Sequence, residues 1–140
     1  MMCGSTIAWG SKLQPSVALS TAEAEYMALA ASAQEVVFLR QLLINLGEVA
    51  GGPTPMFEDN EGCEALATNA ITTAKTKHID IRHHFVRDLV TDKTLKIVWL
   101  STIEMIADIL TKCSLPASEH KKHTDRMLGG DYAGPHARTT

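Results

Sequence analysis

The run "STAEAEYMALAASAQEVVFLRQLLINLG", from Ser20 to Gly47, constrains the fold more than any other feature. No proline and no glycine interrupts it before its last residue. Ser20 is suited to an N-cap, and Glu23, three places on, completes a capping box. Leu29, Ala33, Val36, Val37, Leu43 and Ile44 recur at helical spacing, and Gly47 is a natural C-terminal stop. A helix with such a stripe must lay it against another layer, so the rest of the chain has to supply one.

Short strands alternating with helices can do so. Residues 5–13, "STIAWGSKL", place Ile7 and Trp9 at alternate positions and predict a strand ended by Pro15. "GEVAGGPTP" (47–55) is a loop, "TPMFED" (54–59) a short buried strand ending in acid, and "NEGCEALAT" (60–68) a short helix. "NAITTAKTK" (69–77) reads as an irregular loop and "HIDIRHHFVRDLVTD" (78–92) as a helix with Ile81, Phe85 and Leu89 on one side. "LKIVWL" (95–100) predicts a strand and "IEMIADILTK" (103–112) a helix. Beyond Pro116 a polar helical tail runs to about Leu128, and 129–140 are expected to be disordered. This order indicates an α/β architecture with some parallel pairing.

At 140 residues the chain is one domain or part of one. A net charge of -3 argues against gripping nucleic acid through bulk positive charge, while leaving room for a local basic surface. Cys3, Cys63 and Cys113 form no CxxC and predict reduced thiols in an intracellular protein, cytoplasmic or nuclear. No apolar run is expected to span a membrane, and no targeting segment is visible.

The carboxylates carry the candidate chemistry. Glu25 is rotated about 200° around the helix from Glu23, so the two cannot share one task. Asp59 stands at the carboxyl end of a predicted strand, where open α/β sheets hold ligands. Asp108 lies in an apolar run with Ile106, Ile109 and Leu110. If strand end and helix ends meet, three such hard oxygen donors suit Mg²⁺ or Mn²⁺. Each also has a plainer use: Glu25 as an exposed acid at the helix's positive end, Asp59 as a cap, Asp108 as a solvent-facing residue. His78 and His83 lie five apart and diverge on a helix, and no HExxH joins them, so a zinc hydrolase lacks its ligand geometry. Lys75, Lys77, His78, Arg82, His83 and Arg87 instead form a locally basic face able to contact phosphates, or simply a solvated one.

"SKLQPSVALSTAEAEYMALAASAQEVVFLRQLL", "FEDNEGCEALATN", "TKHIDIRHHFVRD" and "ADILTK", in this order and spacing, resemble the ribonuclease H domain of copia-type retrotransposon polyproteins. The likeness runs from residue 1 to about 130 and includes the "DRMLGG" tail. It implies a ribonuclease H-like mixed sheet flanked by helices, and cleavage of the RNA strand of an RNA–DNA hybrid with two divalent metals, Mg²⁺ or Mn²⁺. Matched by motif, Glu25, Asp59 and Asp108 are the implied metal ligands, and the basic helix from His78 is the hybrid-facing segment.

Two departures from the family matter. Glu61 and Glu64 stand where it usually has a glutamine and an apolar residue. The family's first catalytic aspartate has no counterpart, since no acid precedes Glu23. The expectation is therefore a domain lacking the first strand and most of the second. It would occupy 1–116, with 117–128 as a helical tail. Such a domain would be impaired as an enzyme, marginally stable alone, and completed by an upstream polyprotein segment or another chain. The alternative is a non-catalytic nucleic-acid-binding or scaffold remnant of the element.

Overall fold

The computed structural model describes residues 5–15, 17–48, 51–63 and 77–129, with the backbone alone over 77–83. The chain divides into two compact units, Ser16–Trp99 and Met1–Pro15 with Leu100–Thr140.

In the first of these, helix α1 spans Thr21–Asn45. Its end is fixed by Gly47 at φ 84: Glu48 N donates to Leu43 O at 2.9 Å and Gly47 N to Ile44 O at 3.0 Å, the paired closure of a Schellman turn. Arg40 Nη1 then donates to Gly52 O at 2.9 Å and to Thr54 Oγ1 at 2.8 Å, tying the following loop to the start of β1 (Thr54–Glu58). Helix α2 (Lys77–Thr91) leads into β2 (Leu95–Trp99), which lies parallel to β1 with Thr54 opposite Leu95 and Glu58 opposite Trp99. Parallel neighbours need a crossover connection, and α2 lies within it.

Tyr26, Leu29, Ala30 and Ala33 of α1 form one buried cluster with Met56, Cys63, Val86, Leu95 and Ile97. Val36, Phe85, Leu89 and Val90 pack against it. Alternation along the strands decides membership: Leu95 and Ile97 are buried while Lys96 between them is exposed. The predicted stripe on α1 holds only in its first half, because Val37 and Ile44 are exposed. Length explains this, since a helix of 25 residues runs roughly 37 Å and strands of five only about 17 Å. By length and composition α1 is also apolar enough to cross a membrane, contrary to the sequence expectation. The core helix of a soluble protein passes the same test, and four α1 residues lie in the core cluster.

In the second unit two expectations fail. Residues 6–13 form no strand; Ser5 makes an isolated bridge, and Ile7 and Trp9 are exposed. Among the described residues the one sheet has two strands, β1 and β2, and an extended segment without a ladder partner has nothing to hold it as a strand. Residues 103–112 form no α-helix either, but two 3-10 turns, Thr102–Glu104 and Ile106–Leu110. Met105 between them is extended at φ -69, ψ 98, which breaks the helical ladder. The polar tail is helical as expected, as α3 (Ala117–Met127). Residues 64–76 and 130–140 lie outside the described residues, and with them most of the expected short helix, the 69–77 loop, Lys75 and the expected disordered end.

Candidate functional site

The start of α1 and the end of β1 are brought together by small residues. Gly62 sits so close to α1 that a Cβ there would stand 3.4 Å from Ala22 Cβ and 3.1 Å from Asn60 Oδ1. Ala22 is three residues before Glu25 and therefore on the same side of the helix. Asn60 Oδ1 accepts from Cys63 N at 3.1 Å, capping the helical turn that opens at 61–63. Asp59 precedes this cap and directly follows β1.

Glu23 is used as a cap. Ser20 Oγ accepts from Glu23 N at 3.1 Å, and Glu23 Oε2 accepts from Leu19 N at 2.7 Å. The box closes on Leu19 instead of Ser20, one residue earlier than the usual reciprocal bond. Glu25 is exposed.

Between Glu25 and Asp59 electrostatically stands Glu58, a carboxyl that sequence reasoning passed over. It is only 6% exposed, and its Oε1 accepts from Asn60 N at 3.1 Å. Burial pushes its pKa up; hydrogen bonds from Asn60 N and the Cys63 thiol oppose this, and the charges of Glu25 and Asp59 add to the rise. Both acids therefore act on one place. Burial, with the same three carboxylates, also pushes the Cys63 thiol far up, so it is no nucleophile at neutral pH. Tyr26, against this cluster, is pushed up to about 12 by burial, with the Arg87 charge opposing. Glu58 was legible from strand parity, since it shares the inward face of Met56. Gly62 carried no signal that sequence alone could separate from an ordinary turn glycine.

Asp108 belongs to the other unit, in the turn Ile106–Leu110. Its Oδ2 accepts from Lys112 Nζ at 2.6 Å, and its side chain is 14% exposed against 45% for the lysine. His123 on α3 is buried, and burial, followed by the Lys122 and Arg126 charges, holds its pKa down. Of the expected basic face, Lys77, His78, Arg82 and His83 lie on the α2 backbone. Arg87, further along α2, has its Nε buried without a hydrogen-bond partner.

Among the described residues no three His, Cys, Asp or Glu side chains form a metal-holding group. Glu25 and Asp59 share one electrostatic effect, a small upward push on Glu58 beside the larger one from burial.

The chain is 42% identical over 109 residues to the retrovirus-related Pol polyprotein from transposon TNT 1-94 of Nicotiana tabacum, a match covering 78% of this chain and 8% of that protein. Its relatives are retrovirus-related Pol polyproteins of plant transposons. Those from transposons RE2 and RE1 of Arabidopsis thaliana are 37% and 38% identical over 106 residues each, covering 76% of this chain and 7% of either polyprotein. The chain thus spans under a tenth of the length of these relatives. No family model matches it, and no solved structure does.

Proposed function

We propose that this chain is the ribonuclease H-like part of a copia-type Pol polyprotein and works on the RNA strand of RNA–DNA hybrids. Glu25, Asp59 and Asp108 are the metal-holding acids of this reading, and Mg²⁺ or Mn²⁺ the metal. The observation that carries it is the 42% identity over 109 residues to the Pol polyprotein from transposon TNT 1-94, with Asp59 directly after β1 and Gly62 close against Ala22 at the start of α1 as its structural support. When bound, the metal activates water and stabilises the leaving oxygen. The chain's own part would be to supply the carboxylates and to contact the hybrid backbone through the basic residues Lys75, Lys77, His78, Arg82, His83 and Arg87.

The sheet supports a completing partner: among the described residues β1 has one neighbour, and Pro55, which cannot donate to a ladder, suits a strand at an edge. A strand from another segment of the polyprotein, or from another chain, would pair there, and an acid on it would serve a two-metal centre. The second reading is a non-catalytic nucleic-acid-binding or scaffold remnant of the element.

The test is Mg²⁺-dependent cleavage of a labelled RNA–DNA hybrid, alone and with the upstream polyprotein segment of a related element added, with Asp59→Asn as control. Cleavage lost in Asp59→Asn supports the nuclease. Hybrid binding without cleavage under both conditions supports the remnant.

A further inference from the structure

Helix α3 is docked by a histidine. Its sequence, "ASEHKKHTDRM", is polar apart from Ala117 and Met127. Among its described residues His123 alone is buried, at 1% exposure, with Glu119, Thr124, Arg126 and Met127 half-buried. A surface helix is ordinarily held by an apolar stripe, and α3 has none. It packs against the Ile106–Leu110 turn, whose Ile106, Ile109 and Leu110 are half-buried. Its last residue also holds the N-terminal segment, since Thr6 N donates to Met127 O at 3.0 Å. His123 Nδ1 is buried with no hydrogen-bond partner among the described residues. The imidazole therefore docks as an uncharged body, and the imidazolium would carry a buried N–H with nothing to accept it.

Burial comes first in holding the His123 pKa below the ordinary 6.5, and the Lys122 and Arg126 charges on α3 add to it. Asp108, in the turn, and Glu119, four residues earlier on α3, oppose this. Asp108 is already engaged, its Oδ2 accepting from Lys112 Nζ at 2.6 Å. The N-terminal segment 5–15 brings only Lys12, which is exposed. We propose that α3 is a pH-released strap: protonation of His123 lifts it from the Ile106–Leu110 turn and lets go of the N-terminal segment, while the Ser16–Trp99 unit stays folded. The strap is fully held above 6.5, where His123 is neutral whether docked or free. As pH falls from there to the folded pKa, the released helix takes up a proton that the docked one does not, and release becomes easier.

The experiment is hydrogen–deuterium exchange of the 1–140 chain, read by mass spectrometry across about pH 8 to 5, with each rate corrected for its intrinsic pH dependence. Wild-type α3 amides should lose protection about tenfold per pH unit, the slope of one proton, from 6.5 down to the folded pKa. Amides of α1 and β2 should keep theirs. His123→Leu should show no such loss in α3. The Lys122→Gln/Arg126→Gln double variant brings the folded pKa nearer 6.5 and should shrink the loss, which decides the matter where His123→Leu does not fold. Constant α3 protection in wild type overturns the inference. So does a loss that His123→Leu shares, which would assign it to the exposed His120, or an undiminished loss in the double variant. A loss that α1 and β2 share equally is global unfolding and overturns it as well.

Discussion

Gly62 faces Ala22 so closely that a Cβ on the glycine would stand 3.4 Å from the alanine's own. This contact joins the first turn of α1 to the turn after β1, and with them the neighbourhoods of Glu25 and Asp59. Gly62→Ala gains about 1 kcal/mol of helical propensity in the 61–63 turn but meets Asn60 Oδ1 at 3.1 Å. The two effects offset, and the unfolding midpoint should barely move. Gly62→Val adds branches that this gap cannot hold and should cost about 1–3 kcal/mol in urea unfolding.

Glu23 and Glu25 should separate by readout. Glu23→Ala removes the acceptor of Leu19 N and should lower stability by about 0.5–1 kcal/mol. Glu25→Gln makes no such change at the cap, and its loss should appear in metal binding while the midpoint of thermal unfolding stays near wild type.

Glu58 should make the chain sensitive to pH in a defined direction. Its folded pKa is raised above the ordinary 4.5, so its contribution to stability is complete below that value and lost as pH rises through the folded pKa. Glu58→Gln keeps the Oε1 acceptor for Asn60 N while removing the charge. At pH 7 it should be more stable than wild type by on the order of 1 kcal/mol. The gap should close as unfolding is measured at successively lower pH toward 4.5.

His123 acts in the opposite sense. Its folded pKa lies below the ordinary 6.5, so the stability it contributes is present above 6.5 and lost as pH falls through the folded value. Below 6.5 the wild type should lose stability more steeply than His123→Leu, measured by thermal unfolding across the acid range.

How far the sequence reached depended on the range of the interactions involved. The Ser20 cap, the Gly47 stop, both strands of the sheet and α2 rest on local punctuation and periodicity, and these were legible. The strand expected at 5–13 depended on a distant ladder partner, which Ile7 and Trp9 cannot specify by alternating. The helix expected at 103–112 failed because 3-10 turns share the i, i+3 spacing that suggested it, and only Met105 in extended conformation marks the break. Around the candidate site, the strand-end position of Asp59 followed from "PMFED". The approach of α1 to that end depends on Gly62 and Ala22, whose meeting no local pattern reveals.

Mn²⁺ binding to the 1–140 chain tests most directly the proposal that Glu25 and Asp59 are metal-holding acids. Isothermal titration of wild type, Glu25→Gln, Asp59→Asn and Glu23→Gln separates the metal acids from the cap. Saturable binding by wild type and Glu23→Gln, weakened at least about tenfold in each of the other two, is the predicted result. Equal affinity in all four, or no saturable binding by wild type, would contradict it.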